Sequence, residues 1–477
     1  MKLKRILPAV FLIFVFLAAQ QAIYANSAPI YTEGYPTGEV MAIDKDCPIK
    51  VENEKLSFDL SEDKVFAGTI FGKVKASYNM VNPTNREMSV KMVFPLVSSY
   101  YYLYGDEILV AADGRKLDYE IFMGDTLDNY GRPSDGESGY DFSLDKILET
   151  ISEKSYRALN FSETETGKLY RINVLPVNEE RINFAVSFDH DGNKSKVLTT
   201  GFNRFERRDS YTRIAAWCYE PKTLEIFVLG QDLDFDIKVY TDGELKKPTE
   251  NYTYDIKTET VELKSYLIGI AKSYLKELAG EDGEAKDYQY SDDLIYNLYA
   301  RALDRAFNSN DGFSFCEDIW SCVYNAGIFA LVYDVDFPAN SHKTVTVSYT
   351  ARATMDRRKT QGPLYTFNYI INPARNWADF GTLDIEITTS ERAPYIVDSS
   401  IEFTKEKDRL YRAHLDSLPQ KDLVFSVYQK EAITLADIAF ANRYESLVII
   451  FVIIVLAAMI ISAVYLIKKL RVKNSGK

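Results

Sequence analysis

Apolar and polar residues alternate with a period of two along most of the chain between residues 50 and 430. Residues 73–80 (KVKASYNM) show the alternation clearly, and residues 88–94 repeat it after a turn at Asn82 and Pro83. This period places every second side chain on the same face of a β-strand, so that one face is buried and the other is solvated. Asp113 and Gly114 separate two further alternating runs, as in a tight hairpin. The pattern predicts a mainly β protein built from sandwich-like modules.

Helical spacing replaces the alternation in two places. A short amphipathic segment begins at Leu144, with Ser143 as its N-cap. Residues 264–326 contain longer helical patterns at 266–278 and 292–307, and a third short helical segment at 316–325. We interpret residues 264–326 as a helical insertion between two β segments, because strand patterns resume at residue 327.

These patterns divide the chain into consecutive segments. We predict a signal peptide at 1–25, an N-terminal β-sandwich module at 26–130, a second β module with a short helix at 131–263, the helical insertion at 264–326, a membrane-proximal β module at 327–430, a juxtamembrane and transmembrane helix at 431–467, and a basic cytoplasmic tail at 468–477.

The longest apolar run near the C-terminus, residues 446–467, contains no charged residue. As a helix it is about 33 Å long, which is enough to cross a bilayer core of about 30 Å. Lys468 and Lys469 follow it directly. Because basic flanks stay on the cytoplasmic side of a membrane, we expect the preceding chain to lie outside the cell.

The N-terminus agrees with this orientation. Residues 1–25 combine a basic start, an apolar run at 8–19 and a small-residue exit that ends at Ala25. These are the three parts of a secretory signal peptide, and an uncleaved signal anchor is the alternative. Together the two ends predict a single-pass cell-membrane protein with a large ectodomain outside and its C-terminus in the cytoplasm.

Charge narrows the range of partners. The whole chain carries a net charge of −13, with 56 basic and 69 acidic residues. The signal peptide and the tail hold eight of the basic residues and no acidic one, so the ectodomain has a net charge of −21. Such an acidic surface argues against nucleic acid as a partner.

The four cysteines are too few for a disulfide scaffold in a chain of this length. Cys316 and Cys322 are close enough in sequence to close one small loop, and we predict them as the candidate disulfide. Free thiols are the alternative. A zinc site is disfavoured, because the spacing is not CxxC and no histidine lies near.

Two stretches resemble known proteins. Residues 73–122, which include VKASYNMVNPTNREMSVKMVFPLV and VAADGRKLDYEI, resemble the opening of VIT (vault protein inter-alpha-trypsin) domains. Residues 365–387 are similar to a segment of uncharacterised bacterial secreted β proteins. Both resemblances imply a β-sandwich interaction module, and neither implies catalytic residues.

The sequence contains no short motif typical of a nucleotide-binding, metalloprotease or serine hydrolase site. We therefore predict no catalytic, cofactor-binding or metal-binding residues. The favoured function is non-enzymatic, a surface-exposed binding or scaffolding protein with an unknown protein or carbohydrate partner. One alternative is a hydrolase whose carboxylates converge only in the folded chain. Another is an accessory subunit of a membrane complex that uses the membrane span as its contact.

Aromatic side chains concentrate in the helical insertion. Tyrosine and tryptophan supply large contact areas with a polar handle, and inserted elements often carry recognition. We predict a partner contact there and at a second, Pro-containing turn, through Tyr266, Tyr274, Tyr296, Tyr299, Trp320, Arg375 and Trp377. The alternative is that the helices cap the open end of a sandwich and bury their rings in its core.

Overall fold

A computed structural model describes residues 29–439, apart from 67, 106–107, 127–142, 153–154, 178–180 and 279–290. The protein is mainly β, as the alternating pattern predicts. Its strands in chain order are β1 Tyr31–Thr32, β2 Thr37–Gly38, β3 Met41–Ala42, β4 Lys50–Asp59, β5 Val65–Phe66, β6 Thr69–Asn82, β7 Met88–Ser99, β8 Leu109–Ala112, β9 Arg115–Lys116, β10 Glu120–Thr126, β11 Thr166–Pro176, β12 Ile182–Asp189, β13 Ser195–Thr200, β14 Arg204–Arg208, β15 Tyr211–Cys218, β16 Lys222–Gly230, β17 Asp236–Tyr240, β18 Tyr252–Glu262, β19 Phe313–Phe315, β20 Ala326–Phe337, β21 Ser341–Arg352, β22 Thr354–Asp356, β23 Leu364–Ile370, β24 Phe380–Thr388, β25 Tyr395–Ser399, β26 Thr404–Lys407, β27 Leu410–Leu415 and β28 Leu423–Tyr428.

Helices lie in both places where helical spacing was found, and one further helix, Tyr100–Gly105, was not predicted. They are α1 Tyr100–Gly105, α2 Leu144–Ser152, α3 Leu263–Leu278, α4 Asp292–Ser309, α5 Cys316–Trp320 and α6 Leu435–Ala439, with 3-10 turns at Ser321–Tyr324 and Asn372–Asn376. Ser291 caps α4 by accepting a hydrogen bond from the Leu294 amide. At the predicted hairpin turn, Asp113 and Gly114 both have positive φ, as a tight turn between β8 and β9 requires.

Two large sheets form the main body. A ten-stranded sheet contains β7, β20 and β23, and a nine-stranded sheet contains β4, β6, β21 and β24. The two sheets pack face to face through aromatic rings: Phe58 of β4 lies 5.1 Å from Phe425 and 6.0 Å from Tyr369, measured between ring centroids. Strands from the predicted N-terminal module and from the predicted membrane-proximal module therefore alternate within the same sheets. They form one body rather than two separate modules.

A smaller pair of sheets is built from the middle of the chain. A five-stranded sheet (order β18-β11-β16-β13-β19) faces a four-stranded sheet (order β14-β15-β12-β17), and the two enclose a separate cluster of buried apolar residues. This unit lies within the second β module predicted at 131–263, except that β19 comes from the helical insertion and pairs in parallel with β13.

The helical insertion is tied into the main body. Leu267 of α3 and Leu303 of α4 belong to the same buried cluster as the two large sheets. A buried carboxylate, Asp304, accepts hydrogen bonds from the Leu159 amide (3.0 Å), the Asn160 amide (3.0 Å) and the Tyr156 hydroxyl (2.9 Å). Burial alone would raise the pKa of Asp304, but these hydrogen bonds outweigh it and hold the pKa below its usual value. The insertion is therefore part of the folded core.

No helix in the described part of the chain is long and apolar enough to cross a membrane. The predicted signal peptide at 1–25 and the predicted span at 446–467 both lie outside the described residues. Topology therefore stays a prediction from the sequence.

Candidate functional site

Most of the predicted contact residues lie in the core. Tyr296 and Tyr299 of α4 are fully buried, and Tyr266 of α3 and Trp377 are each only 6 % exposed. The Trp377 indole donates to the Val40 carbonyl at 2.9 Å. The prediction therefore does not hold for these four side chains, because packing against the sheets makes them unavailable to a partner. The alternative of rings buried beneath a helical cap describes them better.

Arg375 is exposed, and its guanidinium donates to the Pro419 carbonyl at 2.7 Å. Because Trp377 beside it points into the core, the second predicted contact reduces to one arginine held against a loop carbonyl. It does not form an aromatic surface.

The two remaining predicted residues are half-buried and come together. Tyr274 of α3 stacks on Trp320 of α5, with ring centroids 4.9 Å apart and an interplanar angle of 13°. A second pair lies beside them: Tyr101 of α1 packs on Tyr324 at 4.9 Å. Tyr101 is 41 % exposed and Tyr324 is 40 % exposed. We call Tyr101, Tyr274, Trp320 and Tyr324 the aromatic patch.

The patch is assembled from distant parts of the sequence. Tyr101 follows β7 of the ten-stranded sheet, whereas the other three rings come from the helical insertion. The 3-10 turn Ser321–Tyr324 brings the two pairs together, because it follows α5 directly and packs against α1. Rings fixed by helices and turns on a rigid body lose little conformational freedom on binding, which favours contact.

Polar groups without partners lie beneath the patch. The Trp320 indole N–H and the Tyr299 hydroxyl are both buried, and neither has a hydrogen-bond partner in the described residues. Burial, reinforced by the neighbouring Cys322 thiol and Tyr100 hydroxyl, raises the pKa of Tyr299. The Tyr299 hydroxyl therefore stays neutral.

The cysteines beside the patch are free. Cys316 and Cys322 are both buried thiols, and the predicted disulfide between them is not formed. The Cys316 sulfur accepts a hydrogen bond from the Thr200 hydroxyl of β13 at 3.0 Å, so this side chain is held toward the small pair of sheets. Burial raises the pKa of both thiols, which keeps them protonated and unreactive.

A second polar cluster lies between the two large sheets. Glu39 follows β2, and Glu54 lies on β4 opposite Tyr78 of β6; all three are fully buried. The Tyr78 hydroxyl donates to Glu39 Oε2 at 2.5 Å, and the Tyr369 hydroxyl of β23 lies 3.4 Å from the Tyr78 hydroxyl. We call Glu39 and Glu54 the acid pair.

Burial changes the ionisation of the acid pair. Loss of solvation raises the pKa of Glu39 to about 7, against the hydrogen bond from Tyr78, which lowers it. Loss of solvation and the charge on Glu39 raise the pKa of Glu54 further. Glu39 Oε1 and both oxygens of Glu54 receive no hydrogen bond from the described residues. A proton shared by the two carboxyl groups would pair two of these three oxygens, because one neutral acid can donate to its neighbour.

The acid pair brings two carboxyl groups together, as a hydrolase would require, but no substrate can reach them. Glu39 and Glu54 have no exposed surface, and the Tyr78 and Phe58 side chains around them are also buried. Tyr78 and Phe58 belong to the continuous cluster between the sheets. A substrate therefore has no route to these carboxyl groups in this conformation. Among the residues that the structure describes, no group of three or more His, Cys, Asp or Glu could hold a metal ion.

The burial of Glu54 and the contact of Tyr101 with the helical insertion were not predicted from the sequence. Glu54 has the same period-two phase as Leu56 and Phe58, which are buried on β4, and this inward phase was the signal for a buried acid. Tyr101 lies in a run of aromatic residues after β7, and nothing local connects it with the helical insertion. Its partner Tyr324 lies more than two hundred residues away in the chain.

Comparison with known proteins adds no family. No family model matches the chain, and no curated protein matches it. The resemblance of residues 73–122 to VIT domains therefore stays a prediction. A crystal structure of a "putative nutrient binding protein" from Legionella pneumophila is similar over 84 % of this chain and 73 % of that chain, with a TM-score of 0.33 and 9 % sequence identity. A likeness this distant carries neither fold nor function to the chain.

Proposed function

We propose that this protein is a membrane-anchored, extracytoplasmic binding protein, and that the aromatic patch is its contact with a partner protein. The observation that carries the proposal is the meeting of four aromatic rings, two exposed and two half-buried, where α1 meets the helical insertion. Tyr101 and Tyr324 each keep about two-fifths of their surface exposed. Tryptophan and tyrosine dominate the binding energy of protein interfaces, which is why such a cluster favours recognition.

A protein partner fits the ring geometry better than a carbohydrate. A sugar ring packs on a free aromatic face, but Tyr274 and Trp320 each cover one face of the other, and the Tyr101 and Tyr324 rings are inclined to each other at 44°. The four rings therefore do not form one flat, open platform, and tyrosine hydroxyls lie among them. Such amphipathic groups suit a protein surface of mixed polarity.

The buried state of the acid pair supports a binding role over the hydrolase. A general acid or base must reach its substrate within hydrogen-bond distance. Glu39 and Glu54 are enclosed on both sides by the large sheets. These two carboxyl groups are therefore enclosed inside the fold.

The membrane anchor rests on the sequence of the two ends. Residues 446–467 are uncharged and long enough to span, and residues 1–25 have the form of a signal peptide. Protease added to intact cells should degrade the bulk of the chain and leave a short C-terminal fragment. Protection of the full-length chain would contradict this topology.

The accessory-subunit alternative places the partner contact in the membrane span and requires no role for the aromatic patch.

The patch is tested with the double substitution Tyr101→Ser and Tyr324→Ser in the full-length chain. The matched control is Tyr211→Ser with Tyr219→Ser, two tyrosines that are 43 % and 63 % exposed on another surface. We expect recovery of the membrane partner to fall about tenfold or more with the patch variant, since each 1.4 kcal/mol of lost binding is tenfold. The control should bind as the wild type does. Equal recovery with both variants would move the contact away from the patch.

A further inference from the structure

Strand β18, Tyr252–Glu262, forms an open edge of the five-stranded sheet. All eleven of its residues pair with β11, from Thr166 opposite Glu262 to Pro176 opposite Tyr252, without a register shift. At about 3.4 Å per residue this edge is about 37 Å long. Nothing in the described residues pairs with its other side.

The strands at the other ends of the four sheets are all short or irregular. Within the described residues, these terminal strands are seven residues or shorter: β1, β9, β10, β14, β17, β19 and β26. The pairings of β10 and β26 also contain register shifts. Short strands and bulges are the devices by which proteins prevent edge-to-edge association. Strand β18 has neither, so it differs from every other terminal strand.

The side chains of β18 are also uncovered. All residues from 253 to 260 (TYDIKTET) are exposed, including Tyr254 at 42 % and Ile256 at 39 %. Threonine, tyrosine and isoleucine favour strands, so the segment keeps an extended conformation without a partner on its outer edge. The edge is therefore preformed for strand addition.

Charge indicates which partner fits. Asp255, Lys257 and Glu259 lie on one face of β18, because they are two residues apart. Asp255 accepts a hydrogen bond from Asn173 at 3.0 Å, and Glu259 pairs with Arg171. Lys257 has no ion pair within the described residues. The charges along this face therefore follow the order acidic, basic, acidic. When two copies of β18 pair antiparallel with a shift of two residues, each Lys257 faces an acid of the other copy, so the strand is complementary to itself.

The unshifted alignment is disfavoured. It would place Lys257 opposite Lys257 and Asp255 opposite Glu259, and like charges directly opposite each other destabilise a strand pair. Two alignments remain, centred on Ile256 or on Thr258. Each forms two reciprocal pairs between Lys257 and an acid.

We propose that a second copy of this chain adds to β18, so that two five-stranded sheets join into one continuous sheet about a two-fold axis. This surface belongs to the small pair of sheets, whereas the aromatic patch is built on α1 and the helical insertion. The proposal is therefore independent of the partner contact. A symmetric interface of this kind is the commonest form of homo-oligomer.

The experiment uses the full-length chain in native membranes, with one added cysteine at a time. The native cysteines are buried, so a short thiol-specific bifunctional reagent reports the added ones. Ile256→Cys and Thr258→Cys each place a thiol on one of the two candidate axes, where cross-strand Cβ atoms lie about 5 Å apart. Thr404→Cys on β26 is the control, because it lies on an exposed strand at the edge of another sheet.

We expect a cross-linked dimer with Ile256→Cys or Thr258→Cys and at least tenfold less with Thr404→Cys. Adding Lys257→Glu to the reactive variant should reduce the dimer about tenfold, because both reciprocal pairs would then place an acid directly opposite an acid. Absence of cross-linking at both axis positions would overturn the proposal. So would equal cross-linking at Thr404, or a dimer yield that Lys257→Glu leaves unchanged.

Discussion

The acid pair and the aromatic patch use their side chains in opposite ways. Glu39 and Glu54 carry groups capable of acid–base chemistry, yet both are fully buried between the large sheets. Tyr101 and Tyr324 carry no charge, yet they are held at the surface beside Tyr274 and Trp320. The reactive groups have no access to a ligand, whereas the accessible groups form no catalytic arrangement.

This difference assigns separate tasks to the two regions. Buried ionisable groups cost stability unless a proton or a hydrogen bond compensates them, so the acid pair makes the fold depend on pH. Aromatic side chains at a surface cost little in the free protein and contribute mainly when covered. We therefore expect substitutions in the first region to change folding and substitutions in the second to change binding.

The largest effect should come from the scaffold that carries the patch. Asp304→Ala removes a buried carboxylate and leaves the Leu159 amide, the Asn160 amide and the Tyr156 hydroxyl without their acceptor. Hydrogen bonds to a charged group contribute about 1.5–3 kcal/mol each, so we expect a loss of about 3 kcal/mol or more in the free energy of unfolding. Urea denaturation of the ectodomain measures it. A loss below about 1 kcal/mol would mean that the insertion is not anchored here.

The acid pair should produce the next largest effect, and it depends on pH. The pKa of Glu39 rises from 4.5 to about 7 on folding. The folded state then binds more protons than the unfolded state between these values, so stability is highest below pH 4.5 and falls as the pH rises toward 7. A shift of this size corresponds to about 3 kcal/mol. The double variant Glu39→Gln, Glu54→Gln should lose this slope.

The free energy of unfolding is measured for the wild type and for the double variant at pH 4.5 and at pH 7, and the difference between the two proteins is compared at the two pH values. Glu87→Gln is the control, because this glutamate is exposed. If the difference between wild type and double variant stays constant across this window, the two carboxyl groups do not share a proton. If the wild type instead gains stability relative to the double variant as the pH rises, the predicted direction of the pH dependence is wrong.

The smallest effect on folding should come from the patch itself. Tyr101→Ser with Tyr324→Ser removes two rings that are each about 40 % exposed. Exposed substitutions change stability by about 0.5 kcal/mol each, so the melting temperature should move by a few degrees at most. Differential scanning calorimetry checks this expectation. If this variant no longer unfolds cooperatively, the two rings are part of the folding core, and the patch does not differ from the acid pair in the way described here.

The local elements of the fold were predictable because their signals are local. The alternation at 73–80 and the helical spacing at 292–307 lie within β6 and α4, and Ser143 accepts a hydrogen bond from the Lys146 amide at the start of α2.

The arrangement of the elements could not be predicted in the same way. Alternation shows that one face of β6 is buried, but it does not show that β21, more than 250 residues later, is the neighbouring strand. For the same reason the burial of Tyr296 and Tyr299 was not visible. An aromatic ring at helical spacing suits a core and an interface equally well, and only the packing of α4 against the sheets decides between them.

The most direct test of the central claim is site-specific photo-crosslinking in native membranes. A photoreactive amino acid replaces Tyr324 in one full-length variant and Tyr219 in another; both side chains are exposed, but only Tyr324 belongs to the patch. We predict one defined adduct between this chain and another protein from position 324, and none of that mass from position 219. The same adduct from both positions, or no adduct at 324 while the protein remains folded and in the membrane, would contradict the assignment of the patch as the partner contact.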